Sequence, residues 1–210
     1  MTELIGIAAV GVVAWFAAGT IWNVAKGRAL MRWMQGGLAA LGDRATVRWL
    51  GSTAVELVIS DARAPFVAVT LVIFLEPRDM PWTWAVGRAR GRRDTLIIRG
   101  ALRGLPAGEF EALEAGSWSA REAVRRIPAH WGWRRDPDRG SVILRHDGTA
   151  ACALADRMLA LARAGGLSVR RLSVRRSEPH FQAHVGLPAI GGSARGFFES
   201  VRAVAELALG

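Results

Sequence analysis

Residues 4 to 25, LIGIAAVGVVAWFAAGTIWNVA, are predominantly apolar, and no side chain in that stretch is charged. A helix needs about 20 predominantly apolar residues to cross a bilayer core of roughly 30 Å, so the pattern predicts a transmembrane anchor over residues 1–26. A cleaved signal peptide would carry positive charge ahead of its apolar stretch, whereas the only charged side chain there is Glu3. A buried core helix competes, because Gly6, Gly11, Gly19 and several alanines dilute the run.

Beyond the anchor the period changes. Leu30, Met34, Leu38 and Leu41 recur at helical spacing with Arg28, Arg32 and Gln35 elsewhere on the wheel, which predicts an amphipathic helix over 28–41. ATVRWL (45–50) and TAVELVIS (53–60) alternate with the period of a strand and are joined by Gly51-Ser52, a hairpin signature. FVAVTLVIFL (66–75) is apolar on both faces and predicts a central strand buried on both sides. Residues 80–94, MPWTWAVGRARGRRD, predict a short helix opened by Pro81. TLIIRGAL (95–102) returns to a strand. Residues 105–118 shift to Gly, Pro and Glu and read as a linker.

In the second half, Ser119 and Glu122 have capping-box spacing for a helix ending near Pro128. Strands at 131–135 and 141–146 flank a DPDRG turn, and a helix over 149–164 is stopped by Gly165-Gly166. Strands at 167–176 and 179–187 precede a terminal helix lined by Phe197, Phe198, Val201, Val204, Ala205 and Ala208. The predicted class is α+β: an N-terminal transmembrane helix (1–26), then a two-layer cytoplasmic domain with mainly antiparallel sheet and helices packed on one face. That domain divides into an amphipathic helix plus β-rich subregion (27–104), the linker (105–118) and a ββαββα subregion (119–210).

Charge adds orientation. Lys26, Arg28 and Arg32 flank only the C-terminal end of the apolar run, so the positive-inside bias puts the N-terminus outside and the rest in the cytoplasm of a single-pass cell-membrane protein. A lone Cys152 allows no intrachain disulfide, consistent with that compartment. The net charge of +10 is spread over both halves, +6 in residues 1–104 and +4 in 105–210, which suits anionic lipid headgroups better than the single stripe of a duplex-DNA binder.

The candidate site follows from Trp beside Arg. Trp22 at the end of the anchor, with Lys26, Arg28 and Arg32, and the segment carrying Trp82, Trp84, Arg88, Arg90, Arg92 and Arg93 have the composition of an interfacial anchor: indoles at headgroup depth and cations on phosphates. Two core tryptophans followed by a solvated basic loop would give the same string. The N-terminal anchor, the β-rich segment and GRRD (91–94) before an apolar strand resemble uncharacterised prokaryotic single-pass membrane-anchored proteins over residues 1–100; the resemblance implies an anchor and carries no function.

No pattern specifies a reaction. His180 and His184 fall on one face of a strand about 13 Å apart at ~3.3 Å per residue, too far to share an ion. Cys152 has no basic residue at helical neighbour spacing. Arg171 and Arg175 share one face of LSVRRLSVRR and Arg170 and Arg176 the other, as on a charge-protected edge strand. No catalytic residue, cofactor or metal is therefore assigned. The leading expectation is a membrane-tethered non-enzymatic accessory or interaction protein, with anionic lipid and a possible protein partner in a membrane complex. The alternatives are a membrane-anchored enzyme of unrecognised type acting on a lipid-linked or anionic substrate and, behind it, a tethered nucleic-acid binder.

Overall fold

The computed structural model describes residues 1–136 and 142–210, with the side chains of Ser119 and Glu122 also outside the description. Most of the predicted DPDRG turn lies outside the described residues. The anchor and the amphipathic segment form one helix, α1 (Thr2–Gln35), followed by a 3-10 turn over Leu38–Ala40. This corrects the expected break near residue 26. The buried positions of α1 are Gly19, Asn23, Gly27, Leu30, Met31 and Met34. Their three- and four-residue spacing makes one stripe, and half of it is Gly or Asn, which hydropathy does not mark as a packing face.

Among the described residues nine strands form one sheet: β1 (Gly42–Trp49), β2 (Ala54–Ala62), β3 (Phe66–Phe74), β4 (Thr95–Leu102), β5 (Phe110–Glu114), β6 (Gly132–Arg135), β7 (Val142–His146), β8 (Val169–Val174) and β9 (Phe181–Gly186). The order is β1-β2-β3-β4-β9-β8-β5-β7-β6, and every neighbouring pair is antiparallel. The helices α2 (Pro81–Ala89), α3 (Trp118–Val124), α4 (Thr149–Ala164) and α5 (Ala194–Glu206) complete an α+β fold with a large antiparallel sheet. The C-terminal half of α1, α5 and α4 cover one face. Val55, Leu57 and Ile59 of β2, Leu71 and Ile73 of β3, and Phe66, Phe110, Phe181 and Phe198 all lie in that single core. Trp33 locks α1 to α5, meeting the Phe197 ring edge-on at 5.6 Å and donating its indole N–H to the Gly192 carbonyl at 2.6 Å.

Four expectations change. β3 is internal but not buried on both sides: Val69, Leu71 and Ile73 face the helices, whereas Ala68 and Phe74 are exposed because the three-helix layer covers one face only. The stretch read as a linker contains β5, between β8 and β7. Its alternation of Phe110 and Ala112 with Glu111 is hidden in sequence by the carboxylates around it. β8 is consequently an interior strand, not a charge-protected edge, and its Arg171 is matched by Glu111. The helix expected to be capped by Ser119 begins two residues earlier, at Trp118, with Ser117 as its cap accepting from the Ala120 N–H.

Candidate membrane-facing site

Among the described residues one helix is long and apolar enough to cross a membrane, and the apolar window of α1 is only 6% buried against the domain. Residues 1–18 are exposed throughout. The domain meets α1 where the strand β3 gives way to residues 75–80. At Gly19 a side chain would collide with the Arg78 carbonyl, so the glycine lets that backbone lie directly on the helix. Trp15 donates its indole N–H to the same carbonyl at 2.8 Å.

Below this contact a polar clamp roots the helix. Asn23, fully buried, donates from Nδ2 to the Glu76 carbonyl at 3.1 Å and accepts at Oδ1 from Arg78 at 3.3 Å. Asp94 accepts from Lys26 Nζ at 2.6 Å, from both terminal nitrogens of Arg78 at 3.0 and 2.8 Å, and from the Glu76 backbone N–H at 2.7 Å. Burial pushes the Asp94 carboxyl up, but these donors together hold it below the usual aspartate value. Glu76, buried, accepts from the Trp84 indole at 2.7 Å and from Arg88 at 3.3 Å, tying α2 to the same cluster. None of Asn23, Glu76, Arg78 or Asp94 was legible as a site residue, because their meaning arises only when residues some 50 to 70 positions apart are brought together.

The predicted site residues divide accordingly. Trp22 is 63% exposed and lines an open concavity with Trp15, Arg78 and Trp84, and Lys26 is engaged with Asp94. Arg28 and Arg32 are exposed. Arg32 lies ~15 Å past Trp22 along the helix axis. Helix α2 has no buried residue: Trp82 is 58% exposed and Val86 50%, while Trp84 is half-buried with its ring centroid 6.5 Å from that of Trp15. Arg88 pairs with Glu76 and lies 5.9 Å from the Trp84 ring centroid. Arg90 is exposed, and its carbonyl accepts from Arg121 of α3. Arg93 is turned back onto the Arg88 and Arg92 carbonyls at 2.8 and 2.7 Å. The exposed indoles and Met80 therefore sit beside the point where α1 leaves the domain.

The open sheet face carries a second polar cluster. Glu111 accepts from Arg171 Nε and Nη2 at 3.0 Å each, from Ser173 Oγ at 2.7 Å and from Arg175 at 3.0 Å, and Arg175 stacks 4.2 Å over Trp131. His184, in the row beside Arg171, is held to about 3 by burial, with the Arg171 and Arg99 cations adding, so its ring is neutral at physiological pH. It pairs with Gln182 at 2.6 Å, while His180 accepts from the Leu102 N–H at 3.0 Å. Cys152 does have a basic neighbour, Arg134 of β6, which also bonds Asp156. Among the described residues no three potential metal ligands cluster.

A comparison with protein-family models finds no match, and a comparison with curated proteins returns no relative.

Proposed function

We propose that this chain is a single-pass membrane-tethered accessory protein whose basic cytoplasmic domain is held against anionic lipid by α1 and α2 together. The observation that carries this reading is the height at which the domain grips α1. The wholly bare segment from Leu4 to Ala18 measures ~22 Å along its axis, short of the roughly 30 Å hydrocarbon core. A spanning α1 must therefore lie in lipid as far as Ile21 and Trp22 on its uncovered side. That depth places Trp22 at the headgroup level, where indoles are favoured, and the Trp15–Trp84 pair ~10 Å nearer the bilayer centre, so the exposed Trp82 and Met80 beside that pair meet lipid. Arg90 and Arg92, with Arg28 on α1, then supply cations near the surface, each contributing about 1 kcal/mol against an anionic leaflet.

Orientation follows from charge: the N-terminal side of α1 presents Glu3 and the domain side presents Lys26, Arg28 and Arg32, which keeps the domain cytoplasmic. A rigid helix-to-domain joint, unlike a flexible linker, fixes which face of the domain looks away from the bilayer, as suits a protein that presents a surface to a membrane partner.

The test is alkaline carbonate extraction of membranes carrying the full chain, followed by the intact mass of the retained protein. The expected result is full-length protein in the membrane pellet. A shortened soluble chain would identify a signal sequence, release of the full chain at high pH would identify a core helix, and either would overturn the reading.

A further inference from the structure

On the open sheet face, where the loop after α2 meets the start of β4 and the N-terminal residues of α3, lies a pocket of about 80 Å³. Its charged lining is entirely cationic: Arg92, Arg93 and Arg170, with no Asp or Glu. Other guanidinium groups drawn into the domain are matched, Arg171 and Arg175 by Glu111 and Arg78 by Asp94. Among the described residues none of the three pocket arginines is paired with a carboxylate. Three like charges around one concavity repel each other, and the repulsion is relieved by an anion and by little else.

The pocket is built, not incidental. Arg93 is pinned by its bonds to the Arg88 and Arg92 carbonyls. Arg170 is the extra residue of an irregularity in the β8–β9 register between Val169 and Arg171, a device that re-aims a side chain out of strict alternation. The two walls are in contact: Gly91, at φ +76°, lies so close to the Gly116 carbonyl that no side chain fits, and Arg121 of α3 donates to the Arg90 carbonyl. The remaining lining includes Phe74, Ile97 and Trp118, apolar surfaces beside the charges, and the neutral His184 ring.

We propose that this pocket binds a phosphoryl group carried on an apolar or aromatic remainder, the phosphate held by Arg92, Arg93 and Arg170 and the remainder lying over Phe74 and Trp118. Guanidinium forks match phosphate oxygens, and the volume admits one such group. The inference does not depend on α1 crossing a membrane, since a soluble phosphate ester and a phospholipid headgroup present the same chemistry.

The test uses the full chain in phosphatidylcholine nanodiscs, titrated calorimetrically with phenyl phosphate and with inorganic phosphate. Saturable binding of phenyl phosphate is expected, several-fold tighter than inorganic phosphate. Arg170→Gln and Arg92→Gln are each expected to weaken it about tenfold, as loss of one charge-assisted contact does. Arg44→Gln, on the edge strand β1 and outside the pocket, leaves it unchanged, and Trp118→Ala lowers the preference for the aromatic ester without altering inorganic phosphate. Repeating the titration with phosphatidic acid in the discs assigns the source: competition identifies the lipid headgroup, and its absence a soluble ester. The proposal is overturned if phenyl phosphate shows no saturable binding in the millimolar range, or if folded Arg170→Gln and Arg92→Gln proteins bind it as the parent does.

Discussion

Replacing Asp94 by Asn is expected to lower the stability of the domain by about 3 kcal/mol, because it strands two partly buried cations. Asp94 is the meeting point of Lys26, Arg78 and the Glu76 N–H, and its side chain is 11% exposed. Removing one partner of a buried pair costs roughly 3–5 kcal/mol; the lower end applies because the Arg78 and Lys26 side chains retain 21% and 35% of their exposure. For a chain of this size the loss corresponds to a fall of about 6–12 °C in Tm. Lys26→Met, which leaves the Arg78–Asp94 pair intact, is expected to cost only about 1 kcal/mol.

The same carboxylate sets a pH signature. Its folded-state pKa lies below the ordinary aspartate value of about 3.9, so its contribution is complete above that value and is lost as pH falls through the folded one. Thermal melts of the full chain in detergent between pH 6 and pH 3 should therefore show a shallower acid loss for Asp94→Asn than for the parent. Equal Tm values for the two proteins at pH 7 would mean that the clamp does not hold α1.

Glu111→Gln should be at least as damaging, by about 3–5 kcal/mol. Glu111 is 2% exposed, and the side chains of its partners Arg171 and Arg175 are 15% and 18% exposed, so the amide would leave two guanidinium groups out of water without an anion. Because the loss is an uncompensated charge and not a cavity, Arg175→Met should cost less in the Glu111→Gln background than in the parent. A double-mutant cycle by denaturant unfolding measures that coupling. Additive single losses would show that Glu111 and Arg175 act independently.

These two carboxylates also mark where sequence ceased to be informative. The helix over 149–164 was legible to the residue, because Leu154, Ala155, Met158 and Ala162 keep the 3.6 period and Gly165-Gly166 ends it. The strand β2 was legible from the alternation of Val55, Leu57 and Ile59. By contrast β5 was unreadable: Glu109, Glu111 and Glu114 look like a solvated linker until Arg171, sixty positions on, is placed beside Glu111. The continuity of α1 was hidden for a related reason, since its packing stripe is built at Gly19, Asn23 and Gly27 to admit backbone and polar partners and not to bury apolar area.

At the candidate site, the grouping of Trp82, Trp84 and the arginines was legible as a segment, but not the division of labour within it. Arg88 is engaged by Glu76 and Arg93 by two carbonyls, whereas Trp15 and Met80, unremarkable in sequence, stand beside the exposed indoles. The members of the cationic pocket come from four strands, a loop and the start of α3, so no local string could announce it.

The most direct test of the account is a depth measurement on the full chain in nanodiscs containing anionic lipid. In a Cys152→Ser background, nitroxide labels at Val10→Cys, Trp82→Cys and Leu105→Cys compare the bare helix, the exposed face of α2 and the opposite end of β4. Relaxation by oxygen and by a water-soluble nickel chelate reports depth at each. The expected result is position 10 in hydrocarbon, position 82 within the lipid and position 105 in water. Position 82 as accessible to the nickel chelate as position 105, or position 10 outside the hydrocarbon, would contradict it.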